Sequence, residues 1–225
     1  MILYLYAIAE GLDHVDELSG ARGEPLTRLT LDGLEVIAGE VDAAPEVNRV
    51  SLSRQDEIVR QLHARAAALL PMRFGAAFGS EADLRRALTL RVTTLRERLR
   101  GVRGREQMTM RVLGAQGVQG APGAAGAAGA AGALGAAGTV GAAYLRARAA
   151  RARPPAIGPL LAALEPLVRD TRVEPGKAPG IIAAVYQLID RGSSVEYERA
   201  VKAAADRMPE LSIRITGPAP CYAFT

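Results

Sequence analysis

The sequence has no tryptophan, a single cysteine and only two histidines among its 225 residues. One cysteine excludes an internal disulfide, and so few Cys and His residues argue against a zinc site. No apolar run approaches the roughly 18 residues that a membrane-spanning helix needs. The apolar start Met1–Tyr6 has no basic residues before it and is not typical of a signal peptide. These absences predict a cytoplasmic protein with neither a metal centre nor a membrane partner.

Motifs for nucleotide binding and catalysis are also absent. Gly176-Lys177 lacks both the earlier glycine and the following Ser or Thr of a Walker loop, and the 24 glycines include no Gly-x-Gly-x-x-Gly. His63 lies within a helical pattern, where a surface or half-buried hydrogen bond is the usual role. His14 lies in an acidic, solvated loop, and Cys221 has no neighbouring base to activate it. We therefore expect no enzymatic activity and no cofactor.

The N-terminal half contains six periodic segments in the order β-β-α-β-α-β. The first strand is apolar on both faces, which is typical of the centre of a sheet. Capping boxes at Ser53–Asp56 and Ser80–Asp83 predict the starts of the two helices, and Pro71 predicts the end of the first. The pattern indicates an α+β fold with an N-terminal ferredoxin-like domain. The six segments are 2–9, 34–41, 53–70, 71–79, 80–101 and 105–113.

Glycine recurs at every third position from Gly114 to Gly141, with mostly alanine between. This is formally the collagen period, but the run is short and only Pro122 stiffens it. We interpret 114–141 as a flexible linker between domains 1–113 and 142–225. A weak trimerisation segment or a close-packed glycine helix bundle is the alternative.

The C-terminal half predicts a second, smaller α+β domain led by a long helix. That helix begins near Tyr144 and carries an arginine cluster, and Pro166 should kink or end its continuation. A strand, a helix and a final alternating strand follow at 181–189, 193–208 and 211–216. The positive excess of the chain lies in this half, at Arg146, Arg148, Arg151 and Arg153.

One arginine stands among apolar residues in the central stretch 69–79. An extended conformation would put Phe74 on one face of a strand and Arg73 on the other. A covered arginine needs a carboxylate or carbonyl partner, and Glu35 and Glu40 are candidates for the carboxylate. The stretch is therefore either a buried strand with a paired Arg73 or a docking edge shaped by it.

Three segments, in their order and spacing, resemble the gas vesicle proteins GvpF and GvpL. The first is the start, 3–8, and the second is His63 followed by 70–75, which reads Leu-Pro-Met-Arg-Phe-Gly. The third is the terminus 211–224, with Gly217-Pro218, Pro220, Tyr222 and Phe224 in place. Where the family tail usually has tryptophan, proline and serine, this chain has Ala219, Cys221 and Ala223.

The resemblance implies a non-enzymatic, two-domain α+β protein required to build gas vesicles. It further implies a minor vesicle component or an assembly factor, located in the cytoplasm or on the vesicle. Its expected partners are the major gas vesicle shell protein and other gas vesicle proteins. The residues expected to contact such a partner are Arg73, Phe74, Pro218, Tyr222 and Phe224.

Two other functions are compatible with the residues. Ferredoxin-like domains also serve as ligand-binding regulatory modules, which bind small metabolites at sheet edges. The arginine helix would suit an RNA-binding scaffold, but no set of stacking aromatics accompanies it, and we expect no nucleic-acid partner.

Overall fold

The computed structural model of the chain describes residues 1–114, 157–176 and 180–225. Most of the predicted linker 114–141 and the predicted helix start near Tyr144 lie outside these residues. The proposed domain limits 1–113, 114–141 and 142–225 therefore stay a prediction.

The chain divides into two compact units. The first unit contains Met1–Met108, Leu188–Gly192 and Gly217–Thr225, and the second contains Thr109–Gln187 and Ser193–Thr216. The C-terminal residues that carry the tail motif therefore belong to the same unit as the central stretch 69–79.

The first unit is built on an antiparallel sheet with the strand order β2-β3-β1-β4, and a short β5 also pairs with β1. β1 lies between β3 and β4, and its residues from Tyr4 to Ala9 are all buried. This confirms the prediction, made from its two apolar faces, that the first strand is central. The strands are β1 Ile2–Leu12, β2 Leu26–Leu31, β3 Leu34–Val41, β4 Ala66–Pro71 and β5 Ala77–Phe78.

Three helices belong to this unit: α1 Arg49–Arg65, α2 Glu81–Thr89 and α3 Val92–Val102. Ser80 caps α2 as predicted, because its side chain accepts the N–H of Asp83. The predicted start of α1 at Ser53 is wrong. The cap is Asn48, whose Oδ1 accepts the N–H of Ser51 at 2.9 Å.

The predicted end of α1 is also wrong, since the helix stops at Arg65 and the next residues form β4. β4 pairs antiparallel with β1, with Leu70 opposite Ile8 and Pro71 opposite Ala7. Alanine and leucine are among the strongest helix formers, but this preference amounts to less than about 1 kcal/mol per residue, so pairing with a central strand overrides it.

The side chains of β4 alternate between two faces of the sheet, and helices pack on both faces. Leu69 packs with Tyr4 and Ile58 of α1 in one hydrophobic cluster. Leu70, its neighbour, faces Leu88 of α2 and Leu95 of α3. Adjacent residues of a strand point to opposite faces, so α1 covers one side and α2–α3 the other.

Most residues of a sheet with the strand order β7-β8-β6-β9 belong to the second unit. The helix α4, Gly158–Leu164, packs against the helix α5, Ser194–Ala205. The helical pattern ends at Leu164, next to the predicted breaker Pro166, and a 3-10 turn, Glu165–Leu167, leads into β7. The predicted break near Pro166 is confirmed, since β7 begins at Val168 and the helical pattern does not continue there. The elements are β6 Arg105–Gly114, α4 Gly158–Leu164, β7 Val168–Pro175, β8 Ile181–Asp190, α5 Ser194–Ala205 and β9 Leu211–Ala219.

A network of hydrogen bonds links three polar side chains inside the second unit. Tyr197 donates its hydroxyl to Gln187 Oε1 at 2.6 Å, and Gln187 Nε2 donates to Thr171 Oγ1 at 3.2 Å. Burial raises the pKa of Tyr197, so the hydroxyl keeps the proton that it donates. Each of these three side chains therefore has a hydrogen-bond partner within the network.

The α+β class is confirmed, and the order of elements is broadly consistent with the predicted ferredoxin-like series. The N-terminal series gains β2 and the two-residue β5, and its second helix is divided into α2 and α3. None of the helices in the described residues is long and apolar enough to cross a bilayer.

Candidate partner-contact site

The segment 72–76 is a loop, and the predicted strand through it is wrong. Gly75 has a φ of 85°, a left-handed conformation that turns the chain out of the sheet direction. Ala76 N–H then donates to the carbonyl of Arg73 at 3.2 Å. Arg73 is consequently exposed rather than covered, and it needs no buried carboxylate.

The expected pairing of Arg73 with Glu35 or Glu40 is not found among the described residues. Glu35 approaches Arg28 at 4.0 Å instead. Glu40 lies exposed on β3. The arginine of the central motif therefore belongs to the surface and is available to a partner.

Phe74 is half-buried and packs edge-on against Tyr4, with ring centroids 6.3 Å apart and an interplanar angle of 74°. Such T-shaped contacts stabilise by about 0.5–1.5 kcal/mol beyond the buried area. Part of this ring therefore supports the loop, and the rest reaches solvent beside Arg73.

The buried side chain of Gln55 on α1 fixes the loop from below. It accepts the hydroxyl of Tyr4 at 2.5 Å and donates to the carbonyl of Met72 at 3.2 Å. Tyr4 in turn accepts the N–H of Gly75 at 3.0 Å. Burial raises the pKa of Tyr4, so it stays a neutral donor. The loop is thus held in one conformation before any partner binds.

The C-terminal tail is anchored on the same helix. Tyr222 donates its hydroxyl to Asp56 Oδ1 at 2.8 Å, and the other oxygen of Asp56 accepts from Arg60 Nε at 2.7 Å. Arg60 also donates to the carbonyl of Pro218 at 3.3 Å. Burial and the bond to Asp56 both raise the pKa of Tyr222.

The other side of the tail is bound to the start of β6. Ala223 N–H donates to Gln107 Oε1 at 2.8 Å. Cys221 is fully buried, with its sulfur 3.7 Å from the carbonyl of Arg105, and burial raises its thiol pKa to about 12. This agrees with the expectation that Cys221 is unreactive.

The five residues predicted to contact a partner differ in how accessible they are. Arg73 and Pro218 are exposed, and Tyr222 is partly exposed although its hydroxyl is occupied. Phe224 is 4% exposed and lies in a 3-10 turn that packs against β4. Phe224 therefore holds the tail in place and offers little surface of its own.

A buried histidine lies behind the tail. His63 Nε2 is 3.2 Å from the carbonyl of Arg105, which confirms the predicted hydrogen bond. Arg191 donates to the carbonyls of His63 and Ala66, both at 3.1 Å. Burial, followed by the charge of Arg191, lowers the pKa of His63 to about 4. The imidazole is neutral at physiological pH and serves the fold.

The loop and the tail meet at one cleft, which the sequence did not reveal. The cleft has a volume of about 400 Å³ and lies between the loop and the α2–α3 pair. Thr225 of the tail and Arg73 of the loop both line it, and Arg91 and Arg98 face them from the helices. Among the residues described, no cluster of Asp, Glu, His and Cys is arranged to hold a metal ion.

Comparison with known proteins now identifies the class of protein to which this fold belongs. Residues 2–225 match the family described as gas vesicle synthesis protein GvpL/GvpF, and the chain belongs to that family. The resemblance seen in the three sequence motifs is thereby confirmed. No curated protein matches the chain.

Two solved structures share the fold over nearly their whole lengths. The crystal structure of gas vesicle protein GvpF from Microcystis aeruginosa has a TM-score of 0.74 at 17% identity, covering 99% of this chain and 98% of that chain. GvpF from Anabaena sp. PCC7120 has a TM-score of 0.74 at 19% identity, covering 99% and 95%.

Proposed function

We propose that this protein takes part in gas vesicle assembly by binding the major shell protein, without catalysing a reaction. It acts as a minor vesicle component or as an assembly factor, in the cytoplasm and on the vesicle. The observation that carries the proposal is the match of residues 2–225 to a gas vesicle synthesis family. Other gas vesicle proteins are further expected partners.

The physical need for such a partner follows from the nature of a protein shell. Subunits that have not yet joined a shell expose strand edges and apolar faces, which aggregate in water. A protein that covers these surfaces until assembly prevents aggregation. Binding of this kind requires a shaped surface rather than a reaction centre.

The candidate contact residues Arg73, Phe74, Pro218 and Tyr222 suit this role. Arg73 is an exposed charge next to the half-exposed Phe74, and both stand on a loop that Gln55 and Tyr4 hold rigid. A preformed loop loses little conformational entropy on binding, so more of the contact energy appears as affinity.

Capture of the purified shell protein tests the proposal. We expect Arg73→Ala to weaken binding about tenfold, in the range of a moderate interface residue. Arg49→Ala, which removes an exposed arginine at the start of α1, is the matched control and should bind like the wild type. Phe74→Ala should also weaken binding, and its circular dichroism must first show that losing the Tyr4 contact leaves the fold intact.

Two outcomes would overturn parts of the proposal. Undiminished capture by folded Arg73→Ala and Phe74→Ala variants removes the loop from the interface. Normal vesicles in a host from which the gene is deleted would contradict the role in assembly altogether.

A further inference from the structure

The cleft between the loop and the α2–α3 pair gathers three arginines from separate parts of the chain. Arg73 comes from the loop after β4, Arg91 from the junction of α2 and α3, and Arg98 from the middle of α3. Buried leucines, Leu70 and Leu95, lie beneath them. We call this feature the arginine cleft.

The charges of the arginine cleft are not compensated within the described chain. On the same helices, Arg85 and Arg86 each lie within 4.0 Å of a carboxylate. None of the three cleft guanidinium groups has such an ion pair among the described residues, and no Asp or Glu lines the cleft. Thr225 also lines the cleft, and its terminal carboxylate forms no ion pair within 4.0 Å with any of the three guanidinium groups. Three positive charges thus surround one concave surface.

Like charges around one concavity repel one another, and a bound anion relieves that repulsion. Planar guanidinium groups bind carboxylates through paired hydrogen bonds, which makes arginine the usual partner of an acidic peptide. Met72 and Ala76 are half-buried in the wall of the cleft and offer apolar contact beside the charges. The complementary ligand is therefore a peptide segment with both carboxylate and apolar side chains.

Nucleic acid fits the cleft less well. Proteins that bind single strands without base pairing present aromatic side chains on which bases stack. Among the residues that the structure describes, no aromatic side chain lines the arginine cleft. Charge complementarity together with an apolar wall favours a protein segment over a polynucleotide.

We propose that the arginine cleft binds an acidic, partly apolar segment of the shell protein. This inference rests on the proposed function and adds the chemistry of the bound segment. Arg91 and Arg98 then act together with Arg73, although they stand more than 15 residues away in sequence.

The test compares the full-length protein with the double variant Arg91→Glu/Arg98→Glu. The control is Arg100→Glu, a single charge reversal at an exposed site on α3 that does not line the cleft. Two probes are used: the purified shell protein, and a labelled peptide of alternating Glu and Leu with its Gln–Leu counterpart. Because ionic contacts are screened by salt, each titration is repeated at low and high ionic strength.

We expect the double variant to bind the Glu–Leu peptide at least tenfold more weakly, while Arg100→Glu binds like the wild type. The Gln–Leu peptide should bind at least tenfold more weakly than the Glu–Leu peptide to the wild type. Equal binding of the shell protein to the wild type and to the double variant would overturn the cleft proposal. The proposed function would remain intact.

Two further results separate the inferences. If the wild type binds the Glu–Leu peptide but not the shell protein, the cleft chemistry is supported and binding of the shell protein is refuted. If inorganic phosphate or a single-stranded RNA competes with the peptide at equal concentration, the cleft is a general anion patch and the proposal of an acidic peptide ligand is refuted.

Discussion

Acidification should destabilise this protein through one buried histidine. His63 is 9% exposed, with its Nε2 3.2 Å from the carbonyl of Arg105 and 3.5 Å from Arg191 Nη2. Burial and the charge of Arg191 hold its pKa at about 4 in the folded state. The perturbation is a shift from pH 7.5 to pH 5, applied to the wild type and to His63→Gln.

The sign and size of the effect follow from the difference between the pKa of His63 in the folded chain and its pKa in the unfolded chain. The ordinary histidine pKa of about 6.5 applies to the unfolded chain. Above pH 6.5 neither state is protonated, so the neutral, hydrogen-bonded His63 contributes its full stability. As the pH falls from 6.5 towards 4, His63 binds a proton in the unfolded chain but stays neutral in the folded chain. Linkage then gives a loss of about 2 kcal/mol at pH 5.

Urea unfolding followed by circular dichroism measures this loss. His63→Gln keeps an amide that can donate to the carbonyl of Arg105 but does not titrate, and all other ionisable groups are common to both proteins. We expect the wild type to lose about 2 kcal/mol more than the variant between pH 7.5 and pH 5. Parallel losses in the two proteins would refute the buried, neutral state of His63.

Two further substitutions test the packing of each unit, again by urea unfolding. Gly217→Ala should cost about 1–3 kcal/mol, because φ is 141° there and a Cβ would lie 2.7 Å from the sulfur of Met108. The control Gly101→Ala, with open space around the Cβ, should instead stabilise α3 by about 0.5–1 kcal/mol. Equal changes in the free energy of unfolding for Gly217→Ala and Gly101→Ala would contradict the close packing of the tail at Gly217. Tyr197→Phe should cost about 1–3 kcal/mol, because Gln187 Oε1 loses its donor; an unchanged midpoint would exclude that bond.

Local patterns predicted the elements whose residues carry their own signal. β1 is apolar at consecutive positions, which is typical of a central strand, and Ser80 has the side chain and spacing of a helix cap. The alternation of Met108, Met110 and Val112 marked β6, and all three side chains are buried.

The segments that were missed depend on partners far away in sequence. Residues 66–70 fit a helix as well as a strand, and only the pairing with β1 decides between them. The sequence pattern predicts a strand at Arg73, because the turn at Gly75 is marked only by one glycine among many. Arg91 and Arg98 look like ordinary surface charges of a helix until the fold brings them beside the loop.

The helix α1 holds both surface segments of the first unit, one through Gln55 and the other through Asp56 and Arg60. Chimeric proteins made from two family members should therefore exchange α1, the loop and the last nine residues as one set. A hybrid that takes only its tail from a relative would place a foreign residue next to Asp56, the carboxylate that accepts the Tyr222 hydroxyl in this protein. Recombination points for such hybrids belong outside these three segments.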